Sequence, residues 1–215
     1  DLVQELYLLK QDRDAATQWQ FETRGKLPLN VKEIFTDGVL RVGVNDNIIG
    51  IYQLDSLNWL DVSDLVKAEI KRLQTHPAYY QNLYPFAYGE AIAKWSNRMN
   101  LNPALVTGLI RQESRFEAEI LSVVGATGLM QIMPETGAWI AGKKRRSNYA
   151  LRNPEDNIEF GTFYLDYTHS RFNNNSMLAV ASYNAGPGAV SGWVTSGIGD
   201  PDEFIQKIPY SETRG

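Results

Sequence analysis

The sequence predicts an all-α protein. Apolar residues recur at helical spacing along nearly all of the 215 residues, and few stretches alternate apolar and polar residues as a strand would. Prolines and glycines fall where helices are expected to start and stop. A content of 43% hydrophobic and 21% charged residues is that of a chain that folds around a core.

The first 83 residues predict short helices separated by turns. Helix stops are expected at Gly25, Pro28, Gly43 and Pro77. The stretch LLKQDRDAATQW resembles one helix–turn–helix unit of an α-superhelix. We therefore expect residues 1–83 to form a helical, superhelix-like segment, with helices over residues 2–11, 14–23, 30–38, 46–58 and 62–75.

A second domain is predicted over residues 84–215. Aromatic residues and glycines become denser from Tyr84 onward, beginning with the stretch YPFAY. Helical patterns continue through this part of the chain and are separated by a glycine-rich stretch, SVVGATGLMQIMP. The predicted helices cover residues 88–99 and 103–115, and three more begin at Pro134, Pro154 and Met177.

Composition and charge exclude several classes of function. A net charge of -4 does not favour a polyanion, so no nucleic-acid partner is expected. The basic run over residues 143–146 is predicted to lie on a solvated loop face. No stretch reaches the roughly 18 apolar residues of a membrane span, so no transmembrane segment is expected. The sequence makes no prediction of oligomeric state.

No metal site or cofactor is predicted. The chain has no cysteine, which excludes disulfides and thiolate ligands. The two histidines, His76 and His169, are far apart and have no further histidine at ligand spacing. We expect both to be solvated or structural.

One predicted helix carries a carboxylate where an apolar residue is expected. In LNPALVTGLIRQESRF, Asn102 suits the N-cap and Pro103 the first helical position. Leu105, Leu109 and Glu113 follow at i, i+4 and i+8, so Glu113 lies on the apolar stripe of this helix. Burial disfavours a charged carboxylate and raises its pKa, which suits a general acid.

The helical pattern alone leaves a structural alternative open. Arg111 or Arg115 could form an ion pair with Glu113 at the helix end. A second carboxylate for the same site is not evident. The other nearby acids lie past the helix end or at predicted helix N-termini, where caps and surface charges are expected: Glu117, Glu119, Glu135 and Asp156.

Three motifs in order resemble the soluble lytic transglycosylases, enzymes with a goose-type lysozyme-like fold that cleave bacterial peptidoglycan. The motifs are ES at 113–114, the serine and GATGLMQIMP within 122–134, and SYNAGPGAV at 182–190. The resemblance extends to LYPFAYGEAIAKWSNRMNLNPALVTGLIRQES before them, and to DNIEFGTFYL and IPYSETRG after the first two. It covers roughly residues 83–215 and implies a lysozyme-like catalytic domain there.

The resemblance implies that Glu113 is the single catalytic acid and base. It would protonate the glycosidic oxygen between N-acetylmuramic acid and N-acetylglucosamine, then accept the proton of the muramic acid 6-hydroxyl. The product would be 1,6-anhydromuramic acid, made without water, with the substrate's N-acetyl group stabilising the reacting carbon. The expected partners are glycan strands with peptide stems, and that substrate implies an extracytoplasmic location.

The resemblance assigns substrate-binding roles to three positions in the glycine-rich stretch. Ser122 would lie beside the glutamate and the N-acetyl group; alternatively it is a turn residue before Gly125. Gln131 and Met133 lie on either side of Ile132, in a segment before Pro134 that should be extended. Alternate residues of an extended segment face the same way, so both side chains should face the substrate-binding cleft. Without the motif, Met133 would be a core residue.

Four further positions follow from the motifs near the C-terminus. Tyr183 and Asn184 end a predicted helix, and the matching family tyrosine reaches the catalytic carboxyl; alternatively Tyr183 is a core residue satisfied by the backbone. Glu212 and Arg214 match a segment that contacts the peptide stem. The chain departs from the family at Tyr210, where phenylalanine is usual.

Two rival functions remain open at this point. One is a muramidase of the same fold that hydrolyses the bond with water. The other is a non-catalytic glycan-binding or helical scaffold protein. Binding alone does not require a proton donor on an apolar helix face, so Glu113 favours the enzymes.

Overall fold

The computed structural model of the protein describes residues 2–194 and 200–214. Over these residues the fold is built from α-helices, with isolated β-bridges Leu121–Thr127 and Thr127–Ile132 in place of strands. The predicted all-α class is therefore confirmed. The chain divides into two compact units, Asp1–Ala87 with Ser114–Glu117 and Tyr88–Glu113 with Ala118–Gly215.

The first unit is a set of short helices that follow one another along the chain. Asn30 caps one of them, where its side chain accepts from Lys32 N and Glu33 N while Glu33 reaches back to the Asn30 N–H. This is the reciprocal capping box. The helices are α1 (Leu2–Leu8), α2 (Asp12–Glu22), α3 (Val31–Gly43), α4 (Asn47–Ser56), α5 (Asp64–Gln74) and α6 (Pro77–Leu83).

The prediction that α3 ends at residue 38 is wrong, because Gly38 serves helix packing rather than helix termination. A Cβ at Gly38 would lie 2.7 Å from Leu54 Cγ, and one at Gly50 would lie 2.9 Å from Gly38 O. The two glycines let α3 and α4 approach closely, and α3 continues to Gly43.

Helix α6 was not predicted, because Pro77 was interpreted only as a stop. Pro77 does follow the end of α5, and it also occupies the first turn of α6. The ring nitrogen Nδ1 of His76 accepts from Ala78 N at 3.2 Å and caps this helix. His76 thus has a structural role, one of the two roles expected for it.

The second unit contains the remaining helices. Pro103, Pro134 and Pro154 each begin a helix, as predicted, and Gly186 ends one. The short helices after Pro187 were not predicted. The helices are α7 (Gly89–Arg98), α8 (Pro103–Ser114), α9 (Pro134–Lys144), α10 (Pro154–Arg171), α11 (Ser176–Ala185), α12 (Pro187–Trp193), α13 (Pro201–Lys207) and α14 (Ser211–Arg214).

Helix α10 is the central element of the second unit. Residues 157–162 are all buried, and α7, α9 and α11 pack against this helix. A Cβ at Gly161 would lie 2.3 Å from Met130 Sδ, so the glycine allows the chain before α9 to pack directly on α10. His169 is buried on the same helix, where Nδ1–H donates to Leu165 O at 2.8 Å and Nε2 lies 3.1 Å from Ser176 Oγ.

The prediction that residues 143–146 lie on a solvated loop face is wrong for three of the four. Lys143 is exposed but belongs to α9. Lys144 belongs to α9 and pairs with Glu159 at 2.9 Å. Arg146 donates to both Glu159 and Asp156. Because Glu159 is buried, it requires cationic partners. The basic residues therefore connect α9 to α10.

Within residues 2–194 and 200–214, no helix has the length and apolar character needed to cross a membrane.

Candidate active site

Glu113 lies in the last turn of α8, on the wall of an open cavity of about 600 Å³. Asn102 caps the helix by accepting from Ala104 N at 2.9 Å, as predicted. Leu105, Leu109 and Glu113 all line the cavity, so the predicted stripe faces an opening rather than a filled core. The other walls come from α11, α13 and α14.

The environment of Glu113 raises its pKa to about 7. Burial is the larger cause, because it disfavours the charged carboxylate, and the negative charge of Glu212 adds to it. An ion pair with Arg111 or Arg115 would lower the pKa instead. The direction of the shift therefore favours the proton-donor interpretation over the ion-pair alternative.

Glu212 is a second carboxylate in this cavity, contrary to the expectation that Glu113 would be alone there. It lies on α14 and lines the cavity together with Arg214. Three of the four other acids considered from the sequence have structural partners. Glu117 accepts from Asn47 N at 3.1 Å, Asp156 accepts from Ala150 N at 2.8 Å, and Glu119 lies 3.9 Å from Arg152.

A smaller cavity of about 250 Å³ shares Gln131 and Asn184 with the larger one. Met133 and Tyr183 line this second cavity. The structure thus brings most of the predicted site residues to two neighbouring cavities. Only Ser122 lies outside the linings that the described residues form.

The prediction of an extended backbone is wrong at Gln131 and correct at Met133. Gln131 has a φ of 45°, in the left-handed region, because it closes a turn in which its N–H donates to Gly128 O at 3.1 Å. Its side-chain Nε2 donates to the same carbonyl at 2.9 Å. Met133 has a φ of -66° and a ψ of 141°. Both side chains line the smaller cavity, although the backbone reason differs from the predicted one.

Asn157 holds the loop that carries these residues, and sequence reasoning missed it. Its Oδ1 accepts from Met130 N at 2.7 Å, and its Nδ2 donates to Thr127 O at 2.9 Å and Leu151 O at 2.7 Å. Asn157 has no exposed surface. A polar residue next to the buried apolar run of α10 was the signal that could have revealed it, since a buried amide needs partners.

Tyr183 donates its hydroxyl to Met130 O at 2.8 Å, which matches the alternative of a tyrosine satisfied by the backbone. Burial raises its pKa well above the usual value, and the charges of Glu113 and Tyr164 add to the shift. Because a phenol has one proton, Tyr183 can meet the Glu113 carboxyl only as an acceptor while it makes this bond. Its role toward Glu113 stays a prediction.

Ser122 closes a turn. Its Oγ accepts from Ala126 N at 2.9 Å, and its own N–H donates to Ala126 O at 2.9 Å. Gly125 lies inside this turn with a φ of 93°, which favours glycine. These contacts match the turn-residue alternative, and a contact with the substrate's N-acetyl group stays a prediction.

The C-terminal helix α14 brings three consecutive residues to the larger cavity, Glu212, Thr213 and Arg214. Thr213 donates its hydroxyl to Asn184 Oδ1, which links α14 to the end of α11. Thr213 was not predicted as a site residue. Its position between two predicted residues was the only signal for it in the sequence.

No metal site is evident in this part of the chain. Among the residues that the structure describes, no three histidine, aspartate or glutamate side chains gather as ligands would. The chemistry available to the cavity is therefore that of one carboxyl poised near neutral pH, a second carboxylate, an arginine and several neutral hydrogen-bonding side chains.

Comparisons with known proteins agree with this geometry. The transglycosylase SLT domain model matches residues 90–201, just over half of the chain. The soluble lytic murein transglycosylase of Salmonella typhimurium is 32% identical over 219 residues, which cover 88% of this chain and 34% of that protein. The chain thus spans about a third of the length of the curated relatives it matches.

Two solved structures share the fold. The 70 kDa soluble lytic transglycosylase of Escherichia coli superposes with a TM-score of 0.70 at 28% identity, covering 99% of this chain and 32% of that one. The lytic transglycosylase Slt of Pseudomonas aeruginosa, solved as an inactive glutamate-to-glutamine mutant, gives 0.72 at 27% identity with the same coverage. The predicted lysozyme-like fold is confirmed, and the chain belongs to the transglycosylase SLT domain family.

Proposed function

We propose that the protein is a lytic transglycosylase that cleaves peptidoglycan without water and leaves 1,6-anhydromuramic acid ends. The observation that carries this proposal is Glu113, a carboxyl with a pKa of about 7 on the wall of an open cavity of about 600 Å³. The curated relatives named as soluble lytic murein transglycosylases support it. The inactive glutamate-to-glutamine mutant of the Pseudomonas aeruginosa relative supports a requirement for one glutamate in that enzyme.

The reaction uses Glu113 twice. Protonated Glu113 gives its proton to the glycosidic oxygen as the bond from that oxygen to the muramic acid anomeric carbon breaks. The 6-hydroxyl of the same sugar then bonds to the anomeric carbon and returns its proton to the Glu113 carboxylate. No water is consumed, and the carboxyl is restored. A pKa near neutrality serves both steps, because the proton must be given up and taken back.

The two cavities offer contacts for a glycan strand. Gln131 and Asn184 lie in both cavities and present amide groups to a sugar. Met133 offers an apolar contact for a sugar face. Glu212 and Arg214 supply opposite charges for the ammonium and carboxylate groups of a peptide stem. We also propose an extracytoplasmic location, because that is where peptidoglycan lies.

We further propose that residues 84–215 carry the chemistry and that residues 1–83 position or restrict the catalytic domain. Every residue that lines the two cavities follows residue 84. The segment Ser114–Glu117, directly after the catalytic glutamate, belongs to the first unit. A fragment that starts at residue 84 should therefore keep the cavity residues and lose the partners of this segment.

Hydrolysis by a muramidase is the second candidate, and Glu212 is the observation that favours it. Glycosidases that use water need one carboxyl to protonate the leaving group and another to direct water or form a covalent intermediate. Glu212 lines the same cavity as Glu113. The lyase is preferred because the 6-hydroxyl is held within the reacting sugar and has an entropic advantage over free water.

Digestion of purified peptidoglycan in heavy-oxygen water separates these two candidates. We expect the released muramic acid ends to be anhydro forms, lighter by one water than hydrolysis products, with no label and no reducing end. Mass spectrometry of the products gives the answer. Predominant label at the muramic acid ends would establish the muramidase, and repeating the digestion with Glu212→Gln would then test its second carboxylate.

The pH dependence of kcat/KM tests the electrostatic role of Glu212. Because Glu113 must be protonated to start the reaction, kcat/KM should fall as the pH rises through about 7. Glu212→Gln removes a negative charge that disfavours ionised Glu113, so this fall should move to lower pH. Burial remains as the larger cause, so the fall should stay above the ordinary carboxyl range.

The control for the Glu212→Gln pH profile is Glu203→Gln. Glu203 lies on α13, is exposed and pairs with Lys207. It lies outside the described lining of the larger cavity. Its replacement should leave the pH profile unchanged. A Glu212→Gln enzyme with the wild-type profile would show that Glu212 does not influence the pKa of Glu113.

A further inference from the structure

Aromatic rings continue outward from the smaller cavity. Tyr164 lines this cavity, and its ring centroid lies 5.3 Å from that of Tyr183. Tyr164 stacks on Tyr167 at 5.9 Å, and Trp139 lies 5.0 Å from Tyr167 and 6.3 Å from Tyr164. Trp139 keeps 36% of its surface exposed. The cavity is thus continuous with an aromatic surface that reaches solvent.

The residues of this surface follow helical spacing on two helices. Thr136, Trp139 and Lys143 lie at i, i+3 and i+7 on α9, and Thr136 lines the smaller cavity. On α10 the same spacing places Tyr164 at the cavity and Tyr167 one turn away. Residues at these spacings share a helix face. Seven residues of helix rise about 10 Å, a length comparable to one disaccharide.

Cations lie over the outer rings. Lys143 Nζ is 5.9 Å from the centroid of the Trp139 ring. Arg171 Cζ is 5.8 Å from the centroid of the Tyr167 ring, and Arg171 Nη1 donates to the Tyr167 hydroxyl at 3.4 Å. Lys143 and Arg171 are both exposed. A ligand on this surface would therefore meet the exposed part of the Trp139 ring together with positive charge.

We propose that Trp139 and Tyr167 form an outer saccharide site that binds one further disaccharide of the glycan strand beyond the smaller cavity. The proposal rests on the proposed function, because the cavity must itself hold the strand. The C–H faces of sugars pack on aromatic rings, and an exposed aromatic surface continuous with a cavity is where such a contact is available. Lys143 and Arg171 complement the carboxylates that the lactyl groups or peptide stems of the strand carry.

A structural role for the rings in joining α9 to α10 predicts a different result on mutation. Phe163 also contacts Trp139, at 6.1 Å, and would keep an apolar contact if Trp139 were replaced by leucine. Trp139→Leu therefore removes the flat ring while retaining apolar volume. If Trp139 had only a structural role, Trp139→Leu would change the stability of the protein and leave the dependence of binding on glycan length unaltered.

Binding is measured by calorimetry in a Glu113→Gln background, so that no strand is cleaved. The probes are glycan strands of one, two and three disaccharides, each with and without peptide stems. We expect Trp139→Leu to weaken binding of the longer strands by roughly five- to tenfold and to leave the single disaccharide unchanged. Lys143→Gln should also weaken binding of the longer strands, because their lactyl or peptide carboxylates lose a cationic partner.

The control is Trp59→Leu, which removes an indole that is 80% exposed and lies in the first unit. It should bind every strand as the Glu113→Gln protein does. Equal binding by Trp139→Leu and the control at every length overturns the outer site. Failure of the Glu113→Gln protein to bind any strand overturns the proposed function itself, and the outer site with it.

Discussion

Replacing Glu113 by glutamine should lower peptidoglycan cleavage by at least roughly a hundredfold while the protein folds normally. Glutamine keeps the size of the side chain and its place on the cavity wall, but it has no proton that it can transfer and take back. The measurement is the rate of release of soluble muropeptides from purified peptidoglycan. Circular dichroism and thermal unfolding report whether the fold is intact.

A matched substitution tests whether the loss belongs to this carboxyl. Glu119→Gln makes the same chemical change six positions along the chain, at an exposed side chain that lies 3.9 Å from Arg152. It should keep essentially full activity. Substantial cleavage by folded Glu113→Gln would remove Glu113 from its catalytic role, and the second carboxylate of the cavity, Glu212, would then be the first to test.

Replacing Asn157 by alanine should lower the free energy of unfolding by about 3–5 kcal/mol. The change removes three hydrogen bonds at once and leaves the N–H of Met130 and the carbonyls of Thr127 and Leu151 without these partners. An unsatisfied buried polar group costs about 1–3 kcal/mol. Urea unfolding, followed by circular dichroism, gives the free energy.

The same variant should also impair cleavage, because Asn157 holds the loop that brings Gln131 to both cavities. Asn148→Ala is the control, since Asn148 is exposed and the contact it makes to Arg146 uses its backbone carbonyl. It should change stability by no more than about 0.5 kcal/mol. A loss below about 1 kcal/mol for Asn157→Ala would mean that water or a shifted loop replaces the three bonds.

Much of the helical architecture could be predicted because helix starts depend on neighbouring residues. Asn102 with Pro103, and Asn153 with Pro154, place a cap and a first turn within a few positions of each other. The same local logic fails at Gly38, where it predicts a helix end. Only the close approach of α4 explains why a glycine is needed there.

The site was predicted in parts. Met133 and Asn184, which the family resemblance assigns to substrate binding, line a cavity, and their contacts with a substrate stay predictions. The backbone at Gln131 was predicted wrongly, because the bias that proline imposes on the residue before it does not extend to a turn closed three residues earlier. The roles of Ser122 and Tyr183 toward the substrate and Glu113 stay predictions.

The sequence by itself determined that the chain is helical, where most of the helices begin, and that Glu113 lies on an apolar helix stripe. These properties depend on residues within about two helical turns of one another. Only the tertiary structure decided that this stripe faces a cavity, that Glu212 lies in the same cavity, and that Asn157 holds the loop beside it. Burial, charge–charge repulsion and the partners of a buried amide depend on atoms that folding brings together from distant parts of the chain.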